Sequence, residues 1–376
     1  MNILRRLYRG DTNVNFIAPR KRWYIASGLL IAICVGSMAL KGFTFGIEFS
    51  GGNSFVVTSP ANTTLKQASA AVESAGVAVQ TAQIAGSGGQ QKYVIKTEEL
   101  TADKTDQIKQ ALSQKLGIPF GEVTDSAVSS SWGSQITQKG LIALAAFLVL
   151  VTAYIWIVFE QKMAIAALAA LVHDLVLTAG VYSLIGFEVT PSTVIGLLTI
   201  LGFSLYDTVV VFDKVQENTR GLLSGQSLRD YAQMANLAVN QTIMRSINTA
   251  VISLLPVGGL LFVGAGLLGV GTLKDLALVL FVGLLVGTYS SIFLATPWLV
   301  DLKEREPRYA ALKRRVATVI KAESGGRAGY VGASNEELVA ATSVEADRDA
   351  TMNASSAATR RRGRHGRVPS VKRGRH

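Results

Sequence analysis

The sequence predicts an α-helical polytopic membrane protein of six transmembrane helices, with a small α+β domain in the first loop and a disordered basic tail. Three observations predict it: a series of long apolar windows, cationic residues gathered beside alternate windows, and one polar stretch with a strand-and-helix rhythm. Of 376 residues, 49% are hydrophobic and only 17% charged, against about a quarter charged in an ordinary soluble domain. Mean hydropathy is +0.34. The formal charge of +11 collects before Tyr24, between Lys214 and Arg245, and after Leu302. That distribution flanks membrane spans rather than forming a nucleic-acid face.

A helix needs about 20 apolar residues to cross roughly 30 Å of hydrocarbon. Such windows fall at about 23–42, 140–159, 163–185, 191–213, 240–264 and 275–299. The first opens on Trp23–Tyr24 after "PRKR", an aromatic and cationic anchor pair. Cationic loops belong in the cytosol, which places "MNILRRLYRG", "FEQKM", "DKVQENTRGLLSGQSLRD" and the tail there. The opposite loops, "GFEVTP" and "GAGLLGVGTLKD", hold a single lysine. Both termini are therefore expected in the cytosol, and the N-terminus has no cleavable-signal pattern. Residues 1–22 read as a basic cytosolic segment, 23–42 as the first span, 43–139 as an extracytoplasmic domain, 140–300 as spans two to six, and 301–376 as a basic cytosolic tail.

Residues 43–139 are too many for a mere connection. "SFVVT" (54–58) and "VAVQTAQIA" (77–85) read as strands around the helix "TLKQASAAVESAG". "QKYVIKT" (91–97) follows a glycine-rich, hairpin-like loop, then "TADKTDQIKQALSQKLG" reads as a helix between Thr101 and Gly117. "EVTDSAVSS" (122–130) closes a β-α-β-β-α-β order, the ferredoxin-like split βαβ. At the other end, 303–322 reads as a short basic helix. From about 323 onward Gly, Ala, Ser and charge leave no apolar periodicity, which predicts disorder and contact with anionic lipid headgroups, with nothing base-specific for a nucleic acid. The lone cysteine, Cys34, lies in an apolar run and offers neither a disulfide nor a Cys-based metal site.

Four polar groups fall inside the predicted spans: His173 and Asp174 in the third, Asp207 in the fourth, Arg245 in the fifth. A mid-bilayer Asp or Arg costs roughly 2.5–3.5 kcal/mol on insertion scales, so such residues turn inward and find partners. Thr193, Gly196, Ile200, Ser204 and Asp207 step by three or four along one face, as do Gln241, Arg245 and Asn248. These faces let Asp207 and Arg245 meet. A guanidinium favours the ionised acid and its withdrawal the protonated one, which makes a proton carrier; a static ion pair fixing helix register is the plainer alternative. His173 and Asp174, adjacent and about 100° apart, are not expected to form one site by themselves. Gly283 and Gly287 form a GxxxG, and Pro256 before Gly258–Gly259 invites a kink.

Two motifs go further. "FGIEFSGG" (45–52) resembles the G-hydrophobic-D-F-T-G-G signature that opens the first external loop of the SecD/SecF family, carried here by Gly46, Glu48, Phe49, Gly51 and Gly52. "GFSLYDTVVVFDKVQENTR" (202–220), "NQTIMRSINT" (240–249) and "LVHDLVLT" (171–178) resemble the span-four, span-five and span-three signatures of its SecF branch. Glu48 stands where Asp is usual, Ser50 where Thr is, and Tyr206 where Asn is. The last departure loses an amide bond to Asp207 or replaces it with a phenol. The resemblance covers residues 20–300 and extends, in fold, to the resistance–nodulation–division exporters. It implies a bacterial plasma-membrane subunit that works with a SecD-like partner beside SecYEG, after SecA and near small accessory membrane proteins. Proton flow through Asp207, modulated by Arg245, with Asp174 and His173 on the pathway, would then help move a translocating polypeptide. No cofactor and no enzymatic activity are implied. A passive scaffold and a proton-coupled exporter remain as alternative readings; an aspartyl protease using Asp174 and Asp207 lacks the glycine-flanked second acid of that class.

Overall fold

The computed structural model describes residues 14–59, 63–86, 91–224, 228–267 and 274–326. Among them, six helices are long and apolar enough to cross a membrane: Arg20–Lys41, Ser130–Val158, Gln161–Ile185, Pro191–Thr219, Tyr231–Ala265 and Lys274–Glu304, here spans one to six. Spans three, four and six carry most of the buried residues, while one, two and five are largely exposed. Two helices begin about nine or ten residues before their apolar windows. Span two starts at Ser130 because the Ser129 hydroxyl takes the Trp132 N–H. Span five starts at Tyr231, where Asp230 and Gln233 form a capping box. The expected change in span five after Pro256 is a switch from α geometry to a π-helical segment, Gly259–Leu267. Span six makes a second π turn at Ser291–Ala295, just before Pro297, which has no N–H to give the carbonyl four residues back. Beyond span six a further helix runs Pro307–Gly326. The chain divides into two units after Arg314, and the site lies wholly in the first. The tail expected to be disordered from about 323 is helical to Gly326, and from 327 on it lies outside the described residues, as does most of the glycine loop (87–90).

Between spans one and two, β1 (Thr44–Phe45) is followed by one helical turn, Ile47–Ser50, then β2 (Gly52–Thr58), the helix Leu65–Ser74, β3 (Val79–Ala85), β4 (Lys92–Thr97), the helix Ala102–Leu116 and β5 (Thr124–Val128). Strands β2 to β5 make one antiparallel sheet in the order β3-β4-β2-β5, with Phe55 opposite Ile95 and Asp125. Alternation puts Phe55 and Val57 of β2 and Tyr93 and Ile95 of β4 on one face. There they pack with Ala68, Ala71 and Val72 of the first helix and Ile108, Leu112 and Leu116 of the second. Thr101 holds the N-cap position but its hydroxyl makes no capping bond; Gly117 ends the helix at φ +65. The remaining short strand, β1, pairs in parallel with β6 (Glu188–Val189), which lies in the loop between spans three and four.

Candidate functional site

The five-residue stripe read on span four, Thr193 to Asp207, is buried throughout. It faces span six, and small residues set the distance. A methyl on Gly283 would come within 2.7 Å of Ile200 Cγ2, and one on Gly287 within 3.0 Å of Ser204 Cβ. Numbering rises together on the two helices, so they run parallel, and one further step brings Ser291 to Asp207. Its hydroxyl donates to Asp207 Oδ2 at 2.5 Å, while Ser246 of span five donates to Oδ1 at 2.5 Å. Asp207 is 7% exposed.

Arg245 does not pair with Asp207. Its Nη2 donates to the Tyr206 hydroxyl at 2.7 Å, and its guanidinium carbon lies 5.8 Å from the centre of that ring. The reason is helical phase. Successive residues diverge by about 100°, so spans four and five make two separate contacts, Tyr206 with Arg245 and Asp207 with Ser246. The Gln241–Arg245–Asn248 face is the exposed one, and the buried face of span five carries Thr242, Ser246 and Ala250. The phenol of Tyr206 is thus committed to the arginine rather than to the acid, and that side chain is half exposed.

The second acid is enclosed completely: Asp174 is 0% exposed and His173 3%. The expectation that these neighbours form no common site fails, because the histidine ring folds back along the helix. His173 Nδ1 lies 3.1 Å from Asp174 Oδ1, and its Nε2 lies 2.8 Å from the Ser27 hydroxyl of span one. Asp174 Oδ2 accepts from Ser204 at 2.5 Å and from Ser290 at 2.8 Å. Spans one and three are held together further along by a Ser37–Ser183 hydroxyl contact at 3.1 Å and by Gly180, which lets Cys34 approach.

Both carboxylates are therefore met by hydroxyls. A guanidinium can only donate, whereas a serine hydroxyl donates to a carboxylate and accepts from a carboxylic acid. The hydrogen bonds can be kept in either protonation state, which suits a group that gains and loses a proton. No cluster of three His, Cys, Asp or Glu side chains suited to a metal occurs among the described residues.

The motif after span one forms a junction between the α+β domain and the bundle. Gly46 N–H donates to the Val189 carbonyl at 2.9 Å. Gly51 has φ +78, and a Cβ there would meet Ser130 Cα at 2.7 Å; Gly52 has φ +141 and lies against the Thr97 carbonyl. Both positions admit only glycine without strain. Glu48 Oε2 is buried without a partner, and Phe49 packs edge-on to Phe45. Beside the motif, Glu188 ion-pairs with Lys96 and accepts from Gln83 Nε2 at 2.7 Å, and Lys274 at the start of span six donates to Gln83 Oε1 at 3.1 Å.

Residues 107–305 match the family profile described as protein export membrane protein SecD/SecF, C-terminal. The chain belongs to the SecD/SecF family. It is 47% identical over 343 residues to the protein translocase subunit SecF of Mycobacterium tuberculosis H37Rv, covering 89% of this chain and 77% of that one. It is 46% identical to the Streptomyces coelicolor SecF subunit, covering 83% and 82%. The crystal structure of SecDF, a translocon-associated membrane protein from Thermus thermophilus, superposes with a TM-score of 0.69 at 31% identity, over 79% of this chain. This chain spans only 39% of that SecDF chain. A SecD/SecF-family member with six apolar helices is a multi-pass membrane protein of the export class. Within it, the hydroxyl partners Ser246, Ser290 and Ser291 escaped the sequence reading, since serine is common in membrane helices.

Proposed function

We propose that this chain is a SecF-type subunit of the Sec protein translocase that, with a SecD-like partner, uses the proton motive force to promote late export of preproteins through SecYEG after SecA. The observation that carries the reading is Asp207. It is buried in a span, held by two hydroxyls, and free of any cation within ion-pairing distance among the described residues. Protonating such a group removes a buried charge and leaves its hydrogen bonds intact. Arg245 is turned instead to Tyr206, the acid's neighbour on span four. Each charge crossing about 100 mV releases roughly 2.3 kcal/mol, enough to bias a two-state element tens-fold. The junction at Gly46, Glu188 and Lys96 gives that bias a route to the α+β domain, which we read as ferredoxin-like from its strand order and as extracytoplasmic from the placement of cationic loops. We read both termini as cytosolic from the same loops and the membrane as a bacterial plasma membrane, and the proton-driven reading calls for no cofactor and no enzymatic step. The match to SecDF, of whose chain this one spans 39%, supports a SecD-like partner.

Asp207→Asn tests the reading in vesicles carrying the full chain and its partner. Insertion and partner association are expected to persist, and the gradient-dependent part of export to vanish. Wild-type gradient dependence in that variant would leave the chain a passive scaffold.

A further inference from the structure

We propose that Ser290 and Ser291 form a hydroxyl bridge that carries a proton between Asp207 and Asp174, so that the two buried acids work as one relay. The proposal rests on the proton-driven reading above and adds to it the residues that connect its two buried acids. Ser291 donates to Asp207 Oδ2 at 2.5 Å and Ser290 to Asp174 Oδ2 at 2.8 Å. Both serines are 0% exposed. Being adjacent, they diverge by about 100°, which lets one two-residue segment reach acids on two different spans. The segment sits where span six passes from α to π geometry, a distortion that recurs at functional sites.

Each acid also has a donor of its own. Ser246 serves Asp207, while Ser204, one turn before Asp207 on span four, serves Asp174 at 2.5 Å. Span six is thus the element that touches both carboxylates. Past Asp174 the chain of contacts continues through His173 to Ser27 of span one. Among the described residues, His173 is the titratable group in hydrogen-bond contact with either acid; Arg245 is turned to Tyr206, and the Tyr289 ring lies 6.4 Å from the His173 ring, centre to centre.

The transfer balances as an exchange. Protonated Asp207 gives its proton to Ser291 Oγ, and Ser291 passes its own hydroxyl proton to Ser290, directly after a side-chain swing or through one water. Ser290 passes its proton in turn to the Asp174 carboxylate. One O–H bond breaks at Asp207, one forms at Asp174, and each serine ends with the proton it needs.

The test uses the full chain with its SecD-like partner in proteoliposomes and reads two signals. One is gradient-dependent export. The other is the infrared C=O stretch of protonated carboxyl groups on acidification, assigned with Asp207→Asn and Asp174→Asn. Ser290→Ala and Ser291→Ala are each expected to slow the gradient-dependent component by at least ~10-fold, below the ~10²–10⁴-fold that a positioned proton-transfer group contributes. Each is also expected to shift the bands of both acids, and Ser→Thr at either position should restore rate and bands. Association with the partner reports folding; where an alanine variant fails it, the threonine variant and Ser→Cys carry the comparison. A Ser290→Ala/Ser291→Ala double variant with wild-type bands and gradient dependence overturns the bridge while the proton-driven reading stands. If instead Asp207→Asn leaves gradient dependence intact, that reading falls. The bridge then survives only if Ser291→Ala moves the Asp174 band along with that of Asp207.

Discussion

Glu188 offers the most direct handle on how the α+β domain is tied to the bundle. Its carboxylate is 4% exposed at the side chain, and Lys96, its ion-pair partner on β4, is 13% exposed. Glu188→Gln keeps the shape and a hydrogen-bonding group for Gln83 but leaves Lys96 largely buried without its counter-charge. Removing one partner of a buried pair costs about 3–5 kcal/mol, and the residual access of Lys96 to water places this pair at about 3 kcal/mol. That corresponds to roughly 10²-fold in the ratio of docked to undocked domain. Hydrogen exchange in nanodiscs reads the change at the Gly46 amide, which donates to the Val189 carbonyl, since local opening exposes such amides. Faster exchange at Gly46 and β6, with the sheet core around Phe55 and Ile95 still protected, is the expected result. Unchanged exchange at Gly46 would show that Glu188 does not hold the domain, and the junction would have to be explained by the backbone contacts alone.

Gly283→Ala drives a methyl onto Ile200, whose Cγ1 and Cγ2 would lie 2.8 and 2.7 Å away. Overpacking of this kind costs about 1–3 kcal/mol, and Ile200→Val, which deletes the terminal methyl at the clash, should return part of it in a thermal unfolding series. Tyr206→Phe removes the acceptor of Arg245 and is expected to leave the Asp207 carboxyl band in place, because that acid is held by Ser246 and Ser291. A shifted band would put the phenol back beside the acid. These join the Asp207→Asn and serine experiments above.

The spans and the buried stripe from Thr193 to Asp207 were legible because bilayer thickness and helical period act on the sequence directly. The partner of Asp207 was not. Choosing between Arg245 and Ser246 requires knowing the rotation of span five to within one residue, and an electrostatic argument favours the arginine by charge alone. Packing decided otherwise: Thr242, Ser246 and Ala250 are the residues that sit flush against neighbouring helices. His173 and Asp174 were misread for a related reason. Backbone phase separates adjacent side chains, yet an imidazole is long enough to fold back to its neighbour. Serines 290 and 291 carried no pattern at all until the π turn next to Pro297 gave them a place.

The parallel pairing of β1 with β6 is made by main-chain atoms, as is the bond from Gly46 to Val189. Any amino acid except proline supplies those groups. Mutation can therefore loosen or tighten the side-chain clasp at Glu188, Lys96 and Gln83 while the underlying tether survives. Such a joint can have its stiffness retuned over generations without the domain and the bundle coming uncoupled.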